Sequence, residues 1–274
     1  MKLWNQNSKD KNSAIDHFLS SEDIALDQEL FLYDIEASIA HAHELEKINI
    51  FTKTDGRKVI SSLKKLGKLF QTNKFKLTAK YEDCHSAIED FLTKELGSIG
   101  KKIHTGRSRN DQIMVAMRLY AREKLDEIQS INLKVAKAFL EKSEKHSSNP
   151  MPGYTHLQRA MPSSWGLWFG AFAESFLDNA ELLSNTKSWI NVNPLGTAAG
   201  YGVNLPIKRD ISTKELNFKR KQLNSLYVQN SRGKFELELI GVLKQPMLDI
   251  RKFSWDMSLF LSQEFNLLSL PPIY

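Results

Sequence analysis

The chain has 274 residues, 41% hydrophobic and 26% charged, with 13 Gly and 8 Pro, which fits a soluble globular core and speaks against disorder and a turn-rich β architecture. Its 38 basic and 32 acidic residues give a net charge of +6, but the basic residues are spread (Lys64-Lys65, Lys101-Lys102, Lys219-Arg220-Lys221), so a nucleic-acid partner is not expected. A single cysteine, Cys84, excludes an intramolecular disulfide, and the lack of a secretory apolar region after Met1 or of any membrane-length apolar run predicts a cytoplasmic protein without membrane contact.

Helical periodicity dominates the chain. Shorter helices are predicted over residues 26–47, 56–71 and 83–96, and these read as a separate N-terminal helical domain over 1–104, with its boundary near 103–106. A long helix follows over 112–145. Its apolar positions Met117, Ala121, Leu125, Ile128, Ile131, Val135 and Ala138 step by three or four, and neither Pro nor Gly interrupts them. A glycine-containing loop over 152–158 leads to a second long helix over 163–190. The loop over 193–200 comes next, and a third long helix over 235–265 carries Pro246, which should kink or divide it. Helices of this length need long partners alongside. The fold class predicted is therefore all-α, with an incomplete long-helix bundle over 105–274 that other subunits help to complete.

Three stretches carry candidate chemistry. His104-Thr105-Gly106-Arg107-Ser108-Arg109-Asn110-Asp111-Gln112 is a turn entering the first long helix. A helix N-terminus offers free N–H groups and a positive dipole end, and arginines offer forked donors, so the stretch suits a carboxylate ligand. The same residues equally describe a capped helix with surface arginines. In Gly153-Tyr154-Thr155-His156-Leu157-Gln158, a histidine beside a threonine can move protons near neutral pH, although a lone loop histidine is more often a structural hydrogen-bonder. In Tyr81-Glu82-Asp83-Cys84-His85-Ser86-Ala87-Ile88-Glu89 the acids and His85 lack the spacing of a helical zinc motif, and Asp83 can cap a helix. His41 and His43, two apart on a helix, face different ways. On spacing alone this third stretch and both histidines read as structural or surface residues, and no metal is expected.

The stretch over 105–112, followed after one long helix by 152–162, resembles argininosuccinate lyase within the fumarase/aspartase superfamily. Thr-Gly-Arg-Ser-Arg-Asn-Asp-Gln and Gly-Tyr-Thr-His-Leu-Gln are spellings of that family. Fumarases and aspartases carry a Gly-Ser-Thr-rich first segment, and adenylosuccinate lyases usually have Arg before Thr-His. The likeness runs from about Trp4 to the last residue.

The resemblance implies elimination of fumarate from argininosuccinate to give arginine, the last step of arginine biosynthesis, without metal or organic cofactor. It implies a homotetramer whose active sites are each shared among three subunits. Ser108, Arg109 and Asn110 match the family's substrate-binding residues, Thr155 and His156 its second active-site segment, and His85 a further active-site histidine. His156 becomes a candidate for protonating the leaving nitrogen.

Several positions depart from the family. Asn230-Ser231-Arg232-Gly233-Lys234 replaces an Asp-Arg-Asp-like stretch, and Pro206-Ile207-Lys208-Arg209 replaces Pro-Ile-Asp-Arg. A substrate-binding serine of some members falls at Asp23, with Ser20 and Ser21 nearby, so that contact is not carried over. The family's serine-containing loop, which supplies the base, does not occur among the 274 residues, so this chain alone is expected to be inactive. Two alternatives are another fumarate-releasing lyase, such as the adenylosuccinate type, and a non-catalytic helical scaffold.

Overall fold

A computed structural model of the chain describes residues 22–78, 80–271 and 273. Ser20 and Ser21 lie outside the described residues. The architecture is helical. The described helices longer than one turn are α1 (Asp23–Lys47), α2 (Lys53–Gln71), α3 (Cys84–Leu96), α5 (Arg109–Lys145), α6 (Trp165–Ile190), α7 (Asp210–Glu215), α8 (Ser225–Asn230) and α9 (Lys234–Phe260). The single turn α4 (Ser98–Lys101) and a 3-10 turn (Lys102–His104) link α3 to α5. No helix among the described residues is long and apolar enough to cross a membrane.

Two compact units are built from separated stretches of chain, whereas the sequence reading placed one boundary between 104 and 105. Among the described residues, the first unit comprises those up to Arg122 together with Ile190–Arg232; the second comprises Glu123–Trp189 with those from Gly233 onward. The return of Ile190–Arg232 has a physical cause. Leu195, Leu216 and Phe218 pack with Ala37, Ala40, Val115 and Leu119 in a cluster of the first unit. Arg209 fastens the returning segment by donating to the carbonyls of Leu195, Gln222 and Asn193 at 2.7, 2.7 and 3.1 Å.

In the first unit α1 packs against α2 and α3 around Phe31, Leu45, Val59, Leu63, Leu66, Ile88 and Leu92. The helix starts follow from local chemistry. Thr52 caps α2 by accepting from the Asp55 N–H at 3.1 Å. Asp83 and Ser86 form a capping box at the start of α3: the Ser86 N–H donates to Asp83 Oδ1 at 2.7 Å, and the Asp83 N–H to Ser86 Oγ at 3.2 Å. Gly97, at φ +60, ends α3.

The second unit is organised by rings. Phe139 on α5, Trp168 and Phe172 on α6 and Phe253 on α9 meet with centroids 5.1–5.6 Å apart. Trp168 donates its indole N–H to Asp256 at 3.0 Å, so its polar edge is satisfied. Pro246 lies inside α9 and does not divide it, which differs from one of the two outcomes expected of that residue.

The predicted loop over 152–158 is part of a β-hairpin. β1 (Pro150–Thr155) pairs antiparallel with β2 (Gln158–Ser164), with a bulge at Gly153/Tyr154. Prolines are tolerated because both strands are edges. The second loop, over 193–200, is also partly ordered, since β3 (Val192–Asn193) pairs in parallel with β4 (Arg220–Lys221).

Candidate active site

In the first unit, Ser108 occupies the cap of α5. Its Oγ accepts from the Asn110 N–H at 3.3 Å, and its own N–H donates to Asp111 Oδ1 at 2.8 Å. Asp111 is fully buried, and its second oxygen accepts from the N–H groups of Gly196 and Ala198 at 3.0 and 2.8 Å. Burial pushes the Asp111 carboxyl upward, while the amides of Ser108 and Ala198 and the charges of Arg107 and His41 pull it the other way. One carboxylate therefore fixes the helix entrance to the turn at 196–198.

Arg109 points its guanidinium at the start of α3, with Nη1 2.8 Å from Glu82 Oε1 and 3.0 Å from Asp83 Oδ2. The N-termini of α3 and α5 are thereby joined, and each contributes a positive dipole end. Asn110 donates from Nδ2 to Ser108 Oγ at 3.3 Å and accepts from Arg232 Nη1 at 3.0 Å. Ser108 and Asn110 are thus hydrogen-bonded to each other at the entrance of α5, while Arg109 beside them is paired with the two acids at the start of α3. Arg232, which lies in the departing stretch before α9, joins Asn110.

His85 sits in the first turn of α3 and is 3% exposed, so it is not a surface residue. Its Nδ1 lies 2.7 Å from Asp34 Oδ2 on α1. A carboxylate can only accept, so Nδ1 carries the proton. Burial opposes charge on the ring, but the Asp34 carboxylate, with Asp83 and Asp27, raises the His85 pKa overall. Asp34 is pushed up by burial and brought below its usual range by His85 and Arg107.

Asp34 belongs to a buried polar stripe on α1 with Asp27, Ser38, His41 and Glu44. Asp27 accepts from the Cys84 N–H at 2.8 Å, Ser38 from Arg107 Nη1 at 2.9 Å, and Glu44 from the Ser212 N–H at 3.2 Å. His41 Nε2 donates to the Thr105 carbonyl at 2.9 Å. The spacing of these polar residues, 7, 4, 3 and 3, was a readable signal on a core-facing helix. Reading the histidines alone missed it.

A carboxylate oxygen of Asp34, Cys84 Sγ and His85 Nδ1 lie within 4.8 Å of one another, a donor set that could hold a metal by type. Its geometry does not favour one. Nδ1 and Oδ2 are 2.7 Å apart and share a proton, whereas zinc ligands with bonds of about 2.0 Å sit roughly 3.3 Å apart in a tetrahedron. Burial also pushes the Cys84 thiol well up, which keeps it protonated.

Thr155 and His156 belong to the second unit. Thr155 pairs with Gln158, so His156 and Leu157 form a two-residue hairpin turn. Both have left-handed backbones, φ +52 and +61, the signature of a type I′ turn. The turn is exposed, and Tyr154 anchors the hairpin edge-on against Phe265 with centroids 4.9 Å apart. His156 is thus held at the tip of a projecting hairpin by a backbone that costs free energy to maintain.

The helical fold is that of a lyase scaffold, and residues 10–274 match the family described as lyase: the chain belongs to that family. Among curated relatives, it is 47% identical over 272 residues to an argininosuccinate lyase of Xylella fastidiosa (strain Temecula1), covering 99% of this chain and 61% of that protein. It is 47% identical over 272 residues to the argininosuccinate lyase of Xanthomonas campestris pv. campestris (strain B100), covering 99% and 63%. The chain therefore spans a little over three-fifths of the length of these relatives. Among solved structures, an EDDS lyase in complex with formate matches with TM-score 0.81 at 24% identity, over 91% of this chain and 50% of that one. A fumarate lyase:delta crystallin from Brucella melitensis bound to cobalt matches with TM-score 0.75 at 18% identity, over 88% and 58%. These likenesses show a shared fold.

Proposed function

We propose that this chain carries the substrate-binding part of a cytoplasmic argininosuccinate lyase, which eliminates fumarate from argininosuccinate and leaves arginine. The observation that carries this reading is the Ser108, Arg109 and Asn110 cluster at the entrance of a 37-residue helix, fixed by Asp111. In the elimination a base takes the proton from the carbon beside a carboxylate. The electrons form the new double bond, and the carbon–nitrogen bond breaks toward the guanidino nitrogen, which gains a proton. Negative charge builds on the carboxylate before that bond breaks, so donors placed in advance lower the barrier.

Ser108, Arg109 and Asn110 are assigned to that carboxylate, with His85 as a further substrate contact. Thr155 and His156 are assigned as the catalytic pair that binds substrate and joins the proton-transfer network, with His156 protonating the leaving nitrogen. No residue of this sequence is assigned as the base, and a polypeptide limited to these 274 residues is proposed to be inactive by itself. The assembly is proposed to be a homotetramer. Large exposed apolar side chains on the long helices, among them Leu167, Leu237, Ile240, Met247 and Trp255, support burial against further copies.

The test is fumarate release from argininosuccinate by the protein purified as its gene encodes it. Ser108→Ala and His156→Asn are each expected to lower kcat/KM about 100-fold or more, the range of a lost proton-transfer or oxyanion contact. Turnover of adenylosuccinate in place of argininosuccinate, or indifference to both substitutions, overturns the proposal.

A further inference from the structure

His85 presents a physical problem that the proposed function leaves open. Its ring is buried, one nitrogen is bonded to Asp34 at 2.7 Å, and the other, Nε2, is buried with no hydrogen-bond partner among the described residues. A buried polar atom left unpaired is destabilising. Such an atom in a native fold calls for a partner from outside the chain, an ordered water or a ligand. The surroundings indicate its chemistry. His85 lies in the first turn of α3, two residues after the capping Asp83, and Asp83 is gripped by Arg109 from the entrance of α5. The residue that carries the unpaired nitrogen therefore stands in the first turn of one of two joined helices, the other of which begins at the proposed carboxylate site.

We propose that Asp34 is the positioning residue for His85: its carboxylate locks the Nδ1–H, fixes the ring's rotation, and commits Nε2 to a carboxylate oxygen of the bound dicarboxylate. This rests on the functional reading above and adds to it a residue on α1 that the sequence did not single out. The charged groups facing the pair are Asp27 on α1, Asp83 at the cap of α3, and Arg107 before α5. Arg107 donates to Ser38 on α1, one turn beyond Asp34, so the carboxylate has a cation beside it as well as the imidazole. With Nδ1–H held by Asp34, a charged imidazole offers Nε2–H to an anion; a neutral one offers a lone pair and repels it. The contact therefore weakens as His85 loses its second proton, and Asp34 sets the pH at which that happens.

The experiment uses the protein as its gene encodes it, with Asp34→Asn, His85→Asn and the double variant. Asp34→Asn keeps the shape and removes the charge. It is expected to raise KM for argininosuccinate at least 10-fold at neutral pH and to move the alkaline limb of log(kcat/KM) to lower pH. In the double variant, Asp34→Asn is expected to add nothing to the loss from His85→Asn. Losses that multiply, or an unmoved limb, overturn the proposal, because a purely structural Asp34 would act independently of His85. A second measurement stands apart from turnover: nitrogen NMR of His-labelled protein with fumarate as the probe. The His85 Nε2 resonance is expected to shift on fumarate addition in the wild type and not in Asp34→Asn. If Asp34→Asn does not fold, the wild-type spectrum decides alone, and an Nε2 resonance indifferent to saturating fumarate overturns the proposal. Absence of argininosuccinate turnover in the wild type, with the fumarate shift intact, would sink the functional reading and leave the pairing standing.

Discussion

Asp111 and Gly196 are 85 positions apart and joined by a 3.0 Å hydrogen bond from the Gly196 N–H to the Asp111 carboxylate. The same carboxylate takes the N–H of Ser108 on its other oxygen and that of Ala198 beside Gly196. Three amides around one buried carboxylate make a clamp. It sets where α5 begins and therefore where Ser108 and Asn110 stand. The clamp is also the reason a discontinuous segment belongs to the first unit: the turn at 196–198 supplies the donors that a buried acid requires.

Replacing Asp111 with Asn puts an NH2 group where one carboxylate oxygen accepted an N–H. At least one buried amide then loses its acceptor, at about 1–3 kcal/mol. Asp111→Asn is expected to lower the unfolding free energy by that amount, with a matching fall in the urea midpoint, and Asp111→Ala by more. Urea unfolding followed by circular dichroism checks this. An unchanged midpoint would mean that the turn at 196–198 does not depend on the clamp.

The buried Asp34–His85 pair makes stability depend on pH in a defined window. His85 is raised above its ordinary 6.5, so its contribution is whole below that value and is lost as pH rises through the higher folded pKa. Asp34 is lowered below its ordinary 3.8, so its contribution is whole above that value and is lost as pH falls through the lower folded pKa. The pair's stabilisation is therefore greatest between about pH 3.8 and 6.5. Denaturation of wild type and His85→Gln across pH 3 to 9 should show the largest gap inside that window and a narrowing gap on either side. A gap that is constant with pH would refute the charge pairing.

The hairpin and the helices were not equally legible in the sequence. The long helices announce themselves because apolar residues recur every three or four positions without Pro or Gly, and the 112–145 prediction matches α5 to within one turn. Pro150, Pro152, Pro162 and Gly153 hide the hairpin, since each speaks against a strand in a sheet interior and neither strand has a sheet interior. The turn itself carries His156-Leu157 in place of the Asn-Gly pair that usually marks a type I′ turn. At the candidate site, the residues proposed to act are those that lie in short motifs. Asp34, Asp111 and Arg232 also reach partners more than fifty positions away, which motif spacing does not reveal, although Asp34 falls in the readable polar stripe of α1.

That turn supports a prediction opposite in sign to most substitutions. Leu157 is 63% exposed and sits at φ +61, where a side chain costs about 1–2 kcal/mol and glycine costs none. Leu157→Gly also loosens the unfolded chain, which returns about half of that gain. A net stabilisation on the order of 0.5–1 kcal/mol is expected, with the hairpin retained. Thermal unfolding of the 274-residue chain measures it. A loss of stability would show that the Leu157 side chain makes a contact worth more than the backbone strain.

The second face of α9 is the most direct handle on assembly. Phe235 and Val242 are buried, and Phe253 packs in the aromatic cluster. Leu237, Ile240 and Met247 are 72%, 66% and 62% exposed. Their spacing of three and seven places them along one stripe of the helix. A stripe of this kind is stabilising only when covered, at about 1.5–3 kcal/mol for each large side chain buried. Leu237→Glu with Ile240→Glu leaves the interior of the second unit untouched, and the helix content of the isolated chain should not change. If copies of the chain cover this face, carboxylates there are desolvated without partners and the complex comes apart. Light scattering after gel filtration is expected to show the wild type at a multiple of the 31.4 kDa chain mass and the double variant at a smaller mass. Equal masses for the two proteins would place the subunit contacts on another face of the long helices.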